Sequence, residues 1–173
     1  MPRSKVETWP DLVKIRDRLR RRGKKVVFTN GCFDLIHGGH VHLFRKARAL
    51  GDVLIVALNS DTSIRRLKGP SRPVFPLRER FEVLSAFESI DYLTSFSQDT
   101  PQKIIAALRP DILVKGGDWG PDAIVGRAEV EAAGGRVVRV PYLRGHSSTN
   151  IIGTILENFS PLSARRASRH RQA

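Results

Sequence analysis

"KVVFTNGCFDLIHGGHVHLFRKARALG", Lys25 to Gly51, holds a strand, a short loop and a helix in one stretch. Val26, Val27 and Phe28 form an apolar run that suits a buried strand. Leu43, Phe44, Ala47 and Leu50 recur at helical spacing, and Gly51 stops the pattern. The junction carries His37-Gly-Gly-His40. Imidazoles three residues apart at a helix start share one face. Backbone N–H groups at that end carry partial positive charge and favour phosphate. Glycines at positions 38 and 39 let an anion approach the backbone closely. Zinc is the competing reading, since Cys32, Asp34, His37, His40 and His42 crowd together. A structural zinc site needs four well-spaced ligands, and no second ligand cluster follows, His146 standing alone downstream of the motif. No protein metal-ligand set is therefore assigned, and His42 reads as an ordinary surface histidine.

The same alternation continues outward. "DVLIVALNSD", "DYLTSF", "DILVKGGDWG" and "RVVRVPY" read as further strands. "LRERFEVLSAF", "TPQKIIAALRP", "PDAIVGRAEVEAAGG" and "STNIIGTILENF" read as helices, the second opening on Thr100-Pro101 as cap and first turn. Strands that are apolar throughout, each followed by a helix, predict a doubly wound, Rossmann-like α/β fold: a parallel five-stranded sheet with helices on both faces. Ligands in such folds bind at the carboxyl ends of the strands. The predicted organisation is an N-terminal helix and basic linker (1–24), one domain (25–159) and a basic, disordered tail (160–173).

A chain of 173 residues with 40% hydrophobic residues can bury a core. No apolar run is long enough to span a bilayer, no secretory signal is evident, and the single cysteine excludes an internal disulfide framework. These features predict a cytoplasmic protein without membrane partners. The net charge of +13 is concentrated in "KIRDRLRRRGKK" and "SARRASRHRQA". It reads as a solvated helix face and a tail, because no aromatic residues interleave with the cations as a single-strand platform requires. A nucleic-acid-binding role is thus the remote alternative. Both G-x-G-x-x-G and the P-loop pattern are absent, which disfavours hydride transfer and Walker-type nucleotide hydrolysis.

"GCFDLIHGGH" resembles the G-x-F-D-x-x-H-x-G-H motif of the cytidylyltransferase-like nucleotidyltransferases. "HSSTNII" resembles their second motif, with histidine in place of the usual first isoleucine. "TNGCFD", "RLKGPSRPV", "ILVKGGDW" and "STNII" further resemble the heptose 1-phosphate adenylyltransferase domain of bacterial ADP-heptose synthesis, over roughly Lys25 to Leu156. The resemblance implies transfer of AMP from ATP to a heptose 1-phosphate, with release of pyrophosphate. It also implies Mg²⁺ held mainly through ATP phosphates, a homodimer, and a sugar kinase in the same pathway. That kinase, often fused to such domains, is expected here as a separate protein, since the chain is too short to hold it. Cytidylyl transfer to a polyol phosphate such as glycerol 3-phosphate is the alternative within the superfamily.

By the same resemblance His37 and His40 contact the α- and β-phosphates, and Lys68 reaches phosphate from a flexible basic loop containing Arg65, Arg66 and Arg72. The neighbouring arginines of that loop read as solvated. Thr29, Asn30, Gly31 and Phe33 line the nucleotide cradle, although the Phe33 ring suits the core equally. Lys115, Gly116 and Gly117 follow the fourth strand, and Gly145, Ser147, Ser148 and Thr149 hold the β- and γ-phosphates at the last helix. Asp34, Arg80, Asp118 and Trp119 are the candidate substrate contacts, with loop orientation the other role open to Asp34. Cys32 has no arranged base and reads as a packed residue.

Overall fold

The computed structural model describes residues 4–117, 124–141, 145 and 147–159. Five strands, β1 (Val26–Gly31), β2 (Val53–Asn59), β3 (Tyr92–Phe96), β4 (Ile112–Gly116) and β5 (Arg136–Val140), form one sheet in the order β3-β2-β1-β4-β5. Every pairing is parallel. Seven helices surround it: α1 (Trp9–Arg21), α2 (Gly38–Arg48), α3 (Asp61–Lys68), α4 (Leu77–Ser85), α5 (Gln102–Leu108), α6 (Arg127–Ala132) and α7 (Ser148–Phe159). The strand order reverses between β1 and β4, and folds of this kind take their ligands in the crevice outside the carboxyl ends at that point. No described helix is long and apolar enough to cross a membrane.

Strand alternation sends side chains to two separate cores. Val27, Val56 and Val114 pack with α2 and Leu84 of α4 on one face. Val26, Phe28, Ile55 and Leu113 pack with Leu12 and Ile15 of α1 and with α5 on the other. Helix α1 is thereby part of the sheet's own core. Its Arg16 side chain is buried, bonds Asp111 at 3.1 Å and the Arg109 carbonyl at 3.0 Å, and ties α1 to the loop before β4. Asp111 in turn accepts from Val26 N at 2.7 Å, closing the same end of β1.

Three local expectations are corrected. The basic stretch after β2 is helix α3 through Lys68, capped by the Ser60 hydroxyl, which accepts from Ser63 N. Helix α6 begins only at Arg127, because Gly126 sits at φ 91 and no right-handed helix passes through that conformation. Helix α5 has Pro101 in the N-cap position without a side-chain cap, so Thr100 does not close it.

Candidate active site

The β1 exit begins at Gly31, over which the Phe33 ring closes. A Cβ at position 31 would meet Phe33 Cζ at 2.9 Å. Phe33 adopts φ 43, a left-handed conformation, to turn its ring inward, and is buried in the core beneath the site. It meets the ring of His40 edge-on at 5.3 Å and that of Phe44 at 5.0 Å. His37 occupies the N-cap position of α2 in an extended conformation, with no side-chain cap bond. Its ring stacks on that of His40, 3.8 Å between centroids and 23° from parallel. The two imidazoles thus share a face at the helix start, as their spacing predicts.

Burial, and then the neighbouring His37, lower the His40 pKa to about 4. His40 is therefore a neutral imidazole at physiological pH, and its buried Nδ1 has no hydrogen-bond partner among the described residues. The Thr29 hydroxyl, sealed beneath the same exit, also lacks a described partner. A neutral imidazole can donate from one nitrogen only. His40 can thus offer a hydrogen bond to an incoming anion without a permanent charge of its own.

Asp34 fixes the loop. Its buried carboxylate accepts from Val74 N and Phe75 N at 2.9 Å and from Arg72 Nε at 2.7 Å. Burial alone would raise its pKa; the Phe75 and Val74 amides and the Arg72 guanidinium outweigh that and hold it below the usual carboxylate range. Of its two expected roles, the observed contacts are those of loop orientation. Arg72, expected in solvent, is the partner of this buried group. Arg66 bonds Asp99 and the Ser97 carbonyl at the surface.

Arg80 departs further from expectation. Its guanidinium is 1% exposed and donates to the carbonyls of Phe75, Cys32 and Asn59 and to Asp61 Oδ1. These bonds tie the β1 exit, the β2 exit, α3 and the start of α4 together. With its donors so engaged, the structure assigns Arg80 to the scaffold rather than to substrate. Lys68, exposed at the end of α3, acts electrostatically on Cys32 together with Arg80 and Arg72. Burial still raises the thiol pKa, so Cys32 is no activated nucleophile.

Lys115 and Gly116 are the last residues of β4 itself, and Gly117 turns out at φ 107 with its N–H on the Val140 carbonyl at 2.9 Å. Burial lowers the Lys115 pKa to about 8, and its ammonium donates to Asn30 Oδ1 across the β1–β4 crevice. Ser147 caps α7, its hydroxyl accepting from Asn150 N at 3.0 Å. Ser148 donates to the Leu35 carbonyl at 3.1 Å, tying α7 to the β1–α2 loop. Thr149 is exposed in the first turn of α7, and Gly145 precedes it at φ 81. Asp118 and Trp119 lie outside the described residues.

The two motifs are thus joined at one end of the sheet. A groove of about 670 Å³ between Val6 and α4 is lined by residues of neither, so cavity size does not locate the chemistry. No group of three His, Cys, Asp or Glu side chains that could hold a metal ion occurs among the described residues. The groups at the start of α2 are two imidazoles and backbone N–H groups, which suit anionic oxygen.

Comparison with known proteins agrees with this geometry. The chain is 54% identical over 156 residues to the bifunctional protein HldE of Syntrophotalea carbinolica, covering 90% of this chain and 32% of that relative. It is 56% identical over 150 residues to the bifunctional protein HldE of Pectobacterium atrosepticum, covering 87% of this chain and 31% of that relative. The chain thus spans about a third of the length of these curated relatives. Among solved structures, the lipopolysaccharide core biosynthesis protein of Thermoplasma volcanium superposes with TM-score 0.58 at 27% identity, covering 72% of this chain and 100% of that one. A pantoate-beta-alanine ligase of Francisella tularensis shares the fold at TM-score 0.60 and 16% identity, covering 91% of this chain and 82% of that one. Residues 28–156, from β1 to the body of α7, match the cytidylyltransferase-like family, and the chain belongs to it.

Proposed function

We propose that the chain transfers AMP from ATP to a heptose 1-phosphate, giving ADP-heptose and pyrophosphate. The observation that carries this reading is the Ser148–Leu35 bond, which brings the last-helix motif onto the histidine loop. The similarity to HldE proteins and to a lipopolysaccharide core biosynthesis protein supports the sugar branch.

The acceptor phosphate oxygen is already an anionic nucleophile, so no residue need act as a base. What opposes reaction is repulsion between two anions. Catalysis then consists of holding the groups in line and neutralising developing charge. His37 and His40 donate to the α- and β-phosphates, where α2 also presents its N-terminal amides. Ser147, Ser148 and Thr149 meet the β- and γ-phosphates at the start of α7. Lys68, free of any helix interior, reaches the triphosphate from the end of α3.

A divalent cation fits this arrangement only through substrate. With anion-binding donors around the crevice, Mg²⁺ would be held by ATP oxygens and water and would supply charge neutralisation between phosphates. The sugar phosphate presupposes a sugar kinase, an activity the described fold does not carry. Self-association belongs to the same reading, and exposed Ile155, Leu156 and Phe159 on α7 supply apolar surface for it; sedimentation would test it.

The test is pyrophosphate release with Mg²⁺, either anomer of a heptose 1-phosphate or glycerol 3-phosphate, and ATP or CTP in parallel. Release with ATP and one heptose phosphate establishes the reading. Release with CTP and glycerol 3-phosphate instead would keep the mechanism and replace the substrates.

A further inference from the structure

We propose that Lys115 is a positioning residue: its ammonium holds the Asn30 carboxamide by its oxygen and so fixes the Asn30 NH₂ as a donor facing the nucleotide crevice. The inference rests on the reading that this crevice binds ATP.

Strand parity places the pair. On β1, Val26 and Phe28 face α1 and α5, so Asn30 shares that side; on β4, Leu113 does the same, and so does Lys115. The histidines rise from the loop that leads into α2, the helix on the other side. Lys115 therefore approaches the crevice from beneath, next to β1, and does not share the histidines' position.

The chemistry of the contact is one-directional. A lysine ammonium has three donors and no acceptor, so only Oδ1 of the carboxamide can face it. The Nδ2 end is thereby turned away and makes no hydrogen bond to the described residues, and Asn30 itself is half-buried. A glutamine or hydroxyl in place of Lys115 would accept either end of the amide and would leave its direction open.

Among the described residues no carboxylate competes for the ammonium. Strands β1 and β5 and helix α6 lie against β4, whose Leu113 and Val114 also enter the cores shared with α1, α5 and α2. Helices α2, with His40 and His42, and α5, with Lys103, carry no carboxylate; on α1, Asp11 bonds Thr8 and Lys14, Arg16 bonds Asp111, and Asp17 is exposed. Strand β1 carries no titratable group, and β5 brings Arg136 and Arg139, the latter paired in register with Lys115. On α6, Glu129 bonds Gln102, and Glu131 bonds Arg127. A buried cation with one neutral acceptor and no carboxylate partner among the described residues is costly. Its burial lowers the pKa to about 8, and a neutral amine could accept from Nδ2, releasing the amide to turn over.

The experiment follows the Asn30 side-chain amide by ¹⁵N NMR in the free protein between pH 6.5 and 9.5. In parallel, calorimetry measures binding of α,β-methylene-ATP, whose reacting bond cannot be cleaved, to wild type, Lys115→Met and Lys115→Arg. In wild type the Asn30 amide resonances are expected to titrate near pH 8 and the analogue's Kd to weaken above it. Lys115→Met should show no titration and bind about tenfold more weakly at pH 7, the size of one lost hydrogen bond. Lys115→Arg, donor-only at every pH used, should keep neutral-pH affinity and lose the alkaline weakening. Equal Kd values for all three proteins would overturn the proposal, as would an alkaline step surviving in Lys115→Arg. Binding that follows the expected pattern while no sugar phosphate is turned over would sink the proposed reaction and leave the role of Lys115 standing. Absence of analogue binding to wild type would overturn both.

Discussion

The His37 and His40 rings lie face to face, 3.8 Å between centroids, at the start of α2. Burial and the neighbouring His37 hold His40 neutral at physiological pH, so in the proposed reaction it would meet phosphate as a neutral donor. Replacing either with alanine is expected to lower kcat by about 10²–10³, the cost of one transition-state donor. Pyrophosphate release measured on each folded variant checks this. A merely structural histidine would leave the rate within a few-fold of wild type.

The depressed pKa of His40 also has a sign for stability. The unfolded chain takes up a proton on this residue below about 6.5, the ordinary histidine value, whereas the folded protein resists uptake until about 4. Between those values the unfolded state binds more protons, so stability falls as pH drops through the window. Urea midpoints should fall more from pH 7 to pH 4.5 in wild type than in His40→Gln. Parallel curves for the two proteins would refute the assignment.

Arg80 gives a different kind of expectation. Arg80→Ala would leave three carbonyls and Asp61 without their shared donor in a buried position. The loss should be about 3–5 kcal/mol, as for other broken buried pairs. Arg80→Lys should recover only part of it, because one ammonium cannot span four acceptors in separate directions. Chemical denaturation measures both. A variant with wild-type stability and a raised KM for the acceptor would instead restore Arg80 to the substrate.

Gly31 offers a test of how tightly the floor of the site is set. A methyl group there meets Phe33 Cζ at 2.9 Å, and that ring touches His40. Gly31→Ala should cost about 1–3 kcal/mol by overpacking and lower kcat more than it raises the KM for ATP. Crystallography or the His40 ring resonances would show the displaced imidazole.

Much of this architecture is legible in the chain because a parallel sheet buried on both faces writes itself as unbroken apolar runs such as Val53–Leu58. The histidine pair is equally plain, since one helical turn fixes its geometry. Helix α3 is hidden: it has eight residues, four of them charged, and buries only Ser63 and Ile64, so few apolar positions mark it. The Ser60 cap was the available signal. The Asp34 and Arg80 clasps are invisible for another reason. Most of their partners are main-chain atoms, from segments up to 48 residues away, and no side-chain pattern encodes a carbonyl or an amide. Lys115 is readable as a cation at a strand exit, but its hold on Asn30 needs the strand order.

The bond from Ser148 to Leu35 spans 113 residues of sequence. The α7 side chains around it are at most half-buried. During synthesis the histidine loop therefore emerges nearly a whole domain ahead of the serine that closes on it. A chain cut short before α7 would carry both histidines and lack the tie that joins the two motifs.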